Sequence, residues 1–384
     1  MDRTWLGMGT ACAIAALALL GCSSADEAPA STTGGTGGSV STGGAPETGG
    51  SVATGGTVAT GGAIETGGSV STGGTVATGG AIETGGSVAT GGSSGSALRV
   101  AFVSDLNGSY GSTTYGSTVH AAVAYLVANP PDVVITTGDM VAGQQAGLDY
   151  PAMWAGFHTA VTDPLTAAGI PFAVTAGNHD ASGYSEYAGE RAEFESQWQS
   201  HAPSVTFVDR TSYPFYYAFS VGRVLFVALY ATVVGGLASE QRTWLDGLLA
   251  AQGASYDATV VFGHLSLYPV SVGRETEILG DSALESILEA RGVTLYASGH
   301  SHAYYAGRRG SVRHVAVGCL GNDPRPLVGD TVDSAQSLVI VTIDGGSITG
   351  LDAYPAPGFA APIPRSALPP ALGTDARAYT RDDL

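Results

Sequence analysis

Eight short apolar runs, rich in Val, Ile, Phe and Tyr, constrain the fold of this chain more than any other feature. They lie at residues 98–105, 132–139, 171–178, 223–230, 258–264, 293–300, 312–318 and 337–344. Runs that are apolar on both faces are typical of strands buried inside a layered sheet. Helical patterns separate several of them, at residues 117–128, 153–168, 187–201, 239–252 and 282–290. This alternation predicts an α/β (α+β layered) domain in which two sheets form a β-sandwich flanked by helices.

Two of the helical segments begin with a candidate N-cap. Ser239 is followed by Arg242, and Ser282 is followed by Glu285 at the spacing of a capping box. We therefore expect these two serines to cap the helices that follow them.

Polar clusters stand at the ends of five of the eight apolar runs. They are Asp105-Leu106-Asn107, Gly138-Asp139, Gly177-Asn178-His179-Asp180, Gly263-His264 and Gly299-His300-Ser301-His302. The carboxyl ends of strands in α/β folds are where binding sites assemble. A glycine before the polar residue lets the chain turn sharply and approach a ligand closely. This mixture of carboxylates, amides and imidazoles suits two divalent transition metals that share a bridging carboxylate.

The ordered set D-x-N, GD, GNHD, GH and GHSH resembles the five motifs of the calcineurin-like metallophosphoesterases, from Asp105 to His302. The resemblance implies the αββα fold of that family and the hydrolysis of phosphomonoesters or phosphodiesters. The nucleophile would be a hydroxide that bridges two divalent ions, with Mn, Fe and Zn as the candidates.

The resemblance also implies a role for each matching residue. Asp105, Asp139 and His302 would bind one ion. Asp139, Asn178, His264 and His300 would bind the other, so that Asp139 bridges the pair. His179 would be the catalytic histidine beside the phosphate, where it donates a proton without binding metal, and Asp180 would orient or charge it.

One position departs from the family pattern. The first motif normally reads D-x-H, and Asn107 stands in place of its histidine. An amide oxygen is a harder and weaker metal ligand than imidazole, which predicts an oxygen-rich site that favours Mn or Fe over Zn. The purple acid phosphatase branch is recognised by GDxxY, and here Gly138-Asp139 is followed by Met140-Val141-Ala142. The iron-tyrosinate branch is therefore not supported.

Further residues near the motifs have two interpretations each. Tyr110 could approach the site, although aromatic residues of loops more often pack. The arginines 274, 308, 309 and 313 could add positive charge for an anionic substrate or could be solvated surface residues. The histidines 120, 158, 201 and 314 are expected to be surface or helix residues without a role. Cys319 is expected to be a small core residue without a disulfide partner.

A repeat of six residues occupies the N-terminal part of the chain. Nine units, such as SVATGG and AIETGG, run from Ser39 to Gly92. Two adjacent glycines per unit maximise the backbone entropy lost on folding, and one Val or Ile per unit offsets little of it. The repeat predicts a disordered linker over residues 23–96, with a β-solenoid as the alternative.

The first 22 residues predict a lipoprotein signal peptide. Arg3 precedes an apolar run, Trp5 to Leu20, that is short for a membrane span. The run ends in Leu19-Leu20-Gly21-Cys22, which resembles a bacterial lipobox and implies that Cys22 is lipidated. Ser23 after the cysteine resembles outer-membrane lipoproteins. We therefore expect an exported protein anchored in the outer membrane of a Gram-negative bacterium, with an ordinary cleaved signal or a buried cysteine as the alternatives.

These patterns divide the chain into four predicted regions. They are a signal peptide at 1–22, a linker at 23–96, a metallophosphoesterase domain at 97–355 and a Pro-rich C-terminal tail at 356–384. The net charge of −18 argues against a nucleic-acid partner, because polyanions are bound mainly by clustered Lys and Arg. The expected partners are a small phosphate ester and, through Cys22 alone, the membrane, and the expected state is a monomer.

Two function classes remain open from the residues themselves. The first is a metal-dependent phosphoesterase. The second is a catalytically weak, metal-binding surface lipoprotein with an adhesion or display role. His179 and Asp180 favour the enzyme because a pure metal binder needs neither of them, whereas Asn107 weakly favours the alternative.

Overall fold

The computed structural model describes residues 97–374 and 377–384. The predictions of a signal peptide, a lipidated Cys22 and a repeat linker concern residues 1–96 and lie outside the described residues.

Fourteen strands, β1 to β14, are found in the part of the chain that the structure describes. In chain order they span Leu98–Val103, Val133–Thr136, Phe172–Ala173, Thr206–Ser212, Tyr216–Val221, Val224–Ala228, Ala258–Phe262, Leu295–Ser298, Tyr305–Arg309, Val312–Ala316, Ser337–Asp344, Ser347–Pro355, Ala371–Leu372 and Tyr379–Arg381. Each of the eight apolar runs contains one of these strands, so the prediction of eight buried strands is confirmed.

Six α-helices, α1 to α6, lie within residues 97–374 and 377–384. They span Ser117–Ala128, Tyr150–Phe157, Asp163–Ala167, Ala188–Ser200, Ser239–Gln252 and Ser282–Ala290. The predicted helix at 153–168 is divided, because a π-helical turn at His158–Thr162 joins α2 to α3. Short 3₁₀ turns lie at Ser185–Tyr187, Gly253–Ser255 and Arg365–Ala367. No helix among the described residues has the length and apolar character needed to cross a bilayer.

The N-cap predictions are wrong by one residue. The side chain of Asp281 accepts hydrogen bonds from the N–H groups of Ala283 and Leu284, so Asp281 caps α6 and Ser282 is its first helical residue. Helix α5 follows Ala238 and has no side-chain cap. Asp281 is the better cap of α6 because its carboxylate satisfies two free N–H groups and its charge interacts favourably with the helix N-terminus.

The strands form two sheets. The five-stranded sheet has the order β12-β11-β1-β2-β3, and the nine-stranded sheet has the order β13-β14-β9-β10-β8-β7-β6-β5-β4. The pairs β1–β2, β2–β3, β6–β7, β7–β8 and β8–β10 are parallel. Buried side chains of both sheets and of the helices belong to one hydrophobic cluster. The predicted two-sheet α/β fold with flanking helices is therefore confirmed.

This topology explains why the polar clusters meet. Asp105 follows β1, Asp139 follows β2 and Asn178 lies beyond β3, all in one parallel set. His264 follows β7 and His300 follows β8, its parallel neighbour in the other sheet. Because the carboxyl ends of parallel strands lie at one edge of a sheet, the two sets each present their polar residues together.

Residues 356–384 are not a separate tail. Thr380 in β14 pairs with Arg308 in β9, which adds β13 and β14 to the edge of the nine-stranded sheet. Tyr379 is buried, with its ring centroid 5.1 Å from that of Tyr305. The tail prediction is wrong because two very short strands among prolines leave no clear periodic pattern in the sequence.

Two predictions about single residues have opposite outcomes. Cys319 is buried and is a free thiol, as predicted. His314 was expected at the surface or in a helix, but it lies in β10 and is buried beside the rings of Tyr268 and Tyr296. His158 is also buried, at the start of the π-helical turn.

Candidate metal centre

The backbone of the site is held in an unusual conformation. Asp105, Asp139, His300 and His302 have φ angles of 49°, 56°, 63° and 51°, in the left-handed region that side chains other than glycine rarely adopt. Such conformations cost of order 1–3 kcal/mol each and persist where the surrounding structure holds them. Here backbone hydrogen bonds link the loops: the N–H of Asp105 donates to the carbonyl of Gly138 at 3.0 Å. Four strained residues in one place indicate a functional site.

Two glycines of the motifs allow this close approach. A Cβ on Gly177 would lie 2.1 Å from the backbone N and Oδ1 of Asp139. A Cβ on Gly299 would lie 2.1 Å from Oγ of Ser104. The expectation that glycine precedes the polar residues to permit close approach is confirmed at these positions.

One group of potential metal ligands is already assembled, and we call it site B: Asp139, Asn178, His264 and His300. Ligand atoms of Asp139, His264 and His300 all lie within 4.8 Å of one another, and all three residues are buried. Oδ1 of Asn178 lies 2.9 Å from Nε2 of His264. One carboxylate, one amide oxygen and two imidazoles form a donor set that suits a divalent transition metal.

Hydrogen bonds orient both imidazoles of site B. Nδ1 of His264 lies 2.8 Å from the carbonyl oxygen of Thr137, and because a carbonyl only accepts, Nδ1 carries the proton. Nε2 of His300 lies 3.0 Å from Oε2 of Glu277 and 2.7 Å from Nη1 of Arg274. The remaining nitrogens, Nε2 of His264 and Nδ1 of His300, are 3.2 Å apart. The amide oxygen of Asn178 lies beside Nε2 of His264. Nη1 of Arg274 lies 2.9 Å from Nδ1 of His300, so positive charge lies beside these nitrogens where a bound cation would place its own.

The pKa values of His264 and Asp139 also show that site B favours positive charge. Burial alone would lower the pKa of His264, but the carboxylates of Asp139 and Asp105 outweigh burial and raise it to about 9. Burial alone would raise the pKa of Asp139, but His264 and His179 hold it well below its ordinary value. The metal-free site therefore holds a proton where a metal ion would place its charge.

A second group, which we call site A, consists of Asp105, Asp139 and His302. Asp105 is fully buried; its Oδ2 accepts hydrogen bonds from Oγ of Ser104 at 2.6 Å and from the N–H of His300 at 3.1 Å. Oδ1 of Asp105 has no hydrogen-bond partner among the described residues and lies 3.3 Å from Nε2 of His302. A buried carboxylate oxygen without a donor is costly, so this atom also fits a cation.

His302 is oriented toward Asp105 from the opposite side of its ring. Its Nδ1 lies 2.9 Å from the carbonyl oxygen of Asp323, which leaves Nε2 as the nitrogen that faces the carboxylate. Asp139 lies next to both groups, since its backbone carbonyl accepts from the N–H of Asn107 at 3.1 Å and its Oδ2 lies 3.5 Å from Nε2 of His264.

Asn107 is buried, and both ends of its amide are engaged. Its Oδ1 accepts a hydrogen bond from Nδ2 of Asn322 at 2.5 Å, and its Nδ2 donates to the carbonyl of Val141 at 3.2 Å. The oxygen that was expected to face a metal thus has a protein partner.

His179 borders the site and is bound through one ring nitrogen. Its Nδ1 donates to the carbonyl of Gly143 at 3.0 Å, and its backbone N–H donates to Oδ1 of Asp139 at 2.9 Å. Nε2 is thereby left as the ring nitrogen available to a ligand.

The carboxylate of Asp180, expected to orient or charge His179, forms its hydrogen bonds with backbone N–H groups. Its Oδ1 accepts hydrogen bonds from the N–H groups of Met140 at 2.7 Å and Val141 at 2.9 Å, and its Oδ2 accepts from Gly177 at 2.8 Å. Burial and the nearby charge of Asp139 raise its pKa to about 7. Asp180 therefore binds the backbone that follows Asp139, and this segment leads to Gly143, whose carbonyl accepts from His179.

A cavity of about 540 Å³ opens above these residues. His179, His302 and Asn107 line it on the side of the metal ligands. Its other walls include Tyr110, Arg274, Asn322, Asp323 and Arg325. Tyr110 is 58% exposed, and its ring centroid lies 5.5 Å from that of His179. Of the four arginines considered from the sequence, Arg274 lines this cavity, whereas Arg308 and Arg313 line another.

Four residues of the site carry no sequence signal and were missed. Glu277 and Asn322 bind His300 and Asn107 as described above, and Arg325 lines the cavity. Gln144 accepts a hydrogen bond from Nδ2 of Asn178 through its Oε1 at 2.9 Å. They come from loops outside the five motifs, and only the folded chain brings them to the site.

The comparisons with known proteins agree with this geometry. The family model described as calcineurin-like phosphoesterase matches residues 98–304. A search of curated proteins finds no relative. Among solved structures, a purple acid phosphatase from yellow lupin (Lupinus luteus) seeds is similar with 19% identity, a TM-score of 0.50 and coverage of 65% of this chain.

The present chain spans 50% of that lupin protein, and the likeness is one of fold. A dimetal phosphatase from Danio rerio is similar with 14% identity and a TM-score of 0.47, over 66% of this chain and 96% of its own. The family match covers more than half of the sequence and contains the sites A and B described above. The chain belongs to the family of calcineurin-like phosphoesterases.

Proposed function

We propose that this protein hydrolyses phosphate esters, with phosphomonoesters as the preferred class, and that it does so with two divalent cations. One observation carries the proposal: the ring of His179 lines the same cavity as His302, whose Nε2 lies 3.3 Å from the unpartnered Oδ1 of Asp105. A metal-storing or display protein needs the ligands but has no use for a histidine aimed at a neighbouring cavity.

The residues divide the work as follows. Site B would hold one cation and site A the other, with Asp139 common to both. When bound, the two cations supply Lewis acidity, which lowers the pKa of water and neutralises charge on phosphoryl oxygens. Nε2 is the nitrogen of His179 left to act on the leaving alcohol, because Nδ1 donates to the carbonyl of Gly143, and Nε2 would donate there when the ring carries its second proton. General acid catalysis of this kind typically contributes about 10²- to 10⁴-fold.

The preference for monoesters rests on the charge of the cavity wall. Arg274 and Arg325 both line it, together with the carboxylates of Asp323 and Asp333. The Nη1 atom of Arg274 lies 3.1 Å from the half-exposed Glu277 and within 2.9 Å of both ring nitrogens of His300, so this guanidinium joins the cavity to site B. A monoester phosphate carries up to two negative charges and a diester carries one. Of these charged groups only the guanidiniums donate hydrogen bonds to phosphoryl oxygens, so two of them favour the ester with more anionic oxygens, the monoester.

A direct assay tests this proposal. Metal-free protein is reloaded with Mn, Fe or Zn and supplied with p-nitrophenyl phosphate or its bis-ester. We expect hydrolysis of both, with a higher kcat/KM for the monoester. Asp139→Asn should lower kcat by about 10²-fold or more, since it removes the shared carboxylate. The exposed Asp344→Asn serves as the matched control and should retain full activity.

The outcomes separate the two parts of the proposal. Failure to hydrolyse either ester with any metal, in folded protein that binds metal, would sink the enzymatic function. Faster hydrolysis of the diester would overturn only the preference. Arg325→Gln should raise KM for the monoester more than for the diester, and equal effects would also overturn the preference.

We further propose that the enzyme is exported and held at the outer membrane of a Gram-negative bacterium by a lipid on Cys22. The support is the Leu19-Leu20-Gly21-Cys22 sequence and the Ser that follows it. The repeat from Ser39 to Gly92 would then act as a tether. In this arrangement the monomeric catalytic domain meets small, diffusing phosphate esters outside the inner membrane.

A further inference from the structure

Sites A and B differ in the number of ligand atoms that they bring together. Site B has two imidazole nitrogens, an amide oxygen and a carboxylate, and three of these four residues have ligand atoms within 4.8 Å of one another. Site A has one oxygen of Asp105, one imidazole of His302 and a share of Asp139. At Asp105 the other oxygen, Oδ2, is already occupied by donors from Ser104 and His300.

The amide of the residue that would complete site A is engaged in other hydrogen bonds. Asn107 occupies the position of the usual histidine, but its Oδ1 lies 2.5 Å from Nδ2 of Asn322. The opposite end of the amide is also bound, through Nδ2 to the carbonyl of Val141 at 3.2 Å. Rotation of the amide away from Asn322 would break both bonds in a buried place, which is unfavourable.

Asn322 is itself held firmly. Its backbone carbonyl accepts a hydrogen bond from Nε2 of Gln336 at 2.9 Å and a weaker one from Sγ of Cys319 at 3.2 Å. The neighbouring Gly321 lies so close to the first motif that a Cβ there would be 1.9 Å from the carbonyl oxygen of Leu106. The loop that carries Asn322 is thus packed against the loop that carries Asn107.

We propose that the two metal ions bind with unequal affinity: site B fills first and tightly, and site A fills second and weakly. Asn322 is the positioning residue that causes the difference, because it engages the amide oxygen of Asn107. The proposal rests on the proposed function only in assuming that two cations bind. A consequence is that the protein in scarce metal holds one ion in site B.

Isothermal titration calorimetry of the metal-free full-length protein with Mn²⁺ or Zn²⁺ tests the inference. We expect one tight ion and one that binds about tenfold or more weakly. Asn107→His supplies the missing imidazole and should tighten the weak ion by about tenfold while leaving the tight ion unchanged. His264→Ala should remove the tight ion.

A second variant guards against misfolding of the first. Asn322→Ala frees Oδ1 of Asn107 and should tighten the weak ion by roughly two- to fivefold, within the range for changes around metal ligands. Asn129→Ala, at the exposed end of α1, is the control and should change neither affinity. Two ions of equal affinity in the parent protein would overturn the proposal. So would unchanged weak binding in Asn322→Ala that melts like the parent.

The ester assay distinguishes this inference from the proposed function. Unequal binding without hydrolysis would leave the inference standing and remove the enzyme. Hydrolysis with two equally tight ions would do the reverse.

Discussion

The amide of Asn178 donates a hydrogen bond to Oε1 of Gln144 at 2.9 Å, and this contact decides which end of the Asn178 side chain faces the metal ligands. With Nδ2 committed to Gln144, Oδ1 lies 2.9 Å from Nε2 of His264. Gln144 is held in place in turn, because its backbone N–H donates to Oε1 of the buried Glu190 at 2.6 Å and its Nε2 donates to Ser182 at 3.2 Å. Its φ of 65° adds it to the strained residues of the site.

This contact predicts the effect of changing Gln144. Gln144→Ala should weaken the tight metal ion by about 10- to 100-fold, because Asn178 is then free to present its NH₂ group to the site. Calorimetric titration with Mn²⁺ measures the change. The adjacent and exposed Gln145→Ala is the control, and equal affinities in the two variants would show that Gln144 does not orient Asn178.

Asp180 should behave as a residue that holds the backbone. It accepts three backbone hydrogen bonds in a fully buried place, and Asp180→Asn replaces one acceptor oxygen with a donor. We expect the free energy of unfolding to fall by about 1–3 kcal/mol, measured by urea denaturation. The exposed Asp344→Asn should change it little.

The pH profile of hydrolysis distinguishes this role from direct catalysis. If Asp180 acts only through the backbone, Asp180→Asn should lower activity without moving the profile. A moved profile together with unchanged stability would instead mean that Asp180 acts on His179 directly.

Stability should fall on acidification, and His314 should contribute to the fall. Burial lowers the pKa of His314 to about 3, with Arg309 adding to the effect. The unfolded chain takes up a proton near pH 6.5, whereas the folded chain does not until about pH 3. The contribution is therefore complete above pH 6.5 and is lost progressively as the pH falls toward 3.

The substitution His314→Phe isolates this contribution. Between pH 7.5 and 5, the parent should lose about 2 kcal/mol more unfolding free energy than the variant. Denaturant titrations at the two pH values in a chelator measure the difference. His120→Phe is the control, because His120 is exposed, and it should lose as much as the parent. An equal loss in His314→Phe would contradict the assignment.

Anchoring by Cys22 predicts a change of cellular fraction. Cys22→Ala should move the protein from the membrane fraction to the soluble one and abolish labelling with radioactive palmitate, because one lipidated residue supplies all of the expected membrane affinity. The control is Cys319→Ala, which alters the buried thiol of the catalytic domain. Retention of Cys22→Ala in the outer membrane would contradict lipid anchoring.

Much of the fold was readable from the sequence because the pattern is local. Val133–Thr136 is apolar throughout, so it reads as a buried strand whatever its neighbours are. Helix α5 at Ser239–Gln252 was predicted with its exact bounds, but its cap was not. The β13 and β14 strands were missed because pairing with β9 across the sheet, and not local pattern, makes them strands.

The site, too, was predicted in part from local sequence and decided in part by tertiary structure. The order of the five motifs determined the family and the ligand candidates, because each motif follows a strand and carries its own chemistry. The tertiary structure alone decided which atoms face one another. Asn322 engages Asn107 from 215 residues further along the chain, and Glu277 orients His300 from a separate loop. Such contacts depend on how loops pack against one another in the folded chain, so the local sequence around each residue does not predict them.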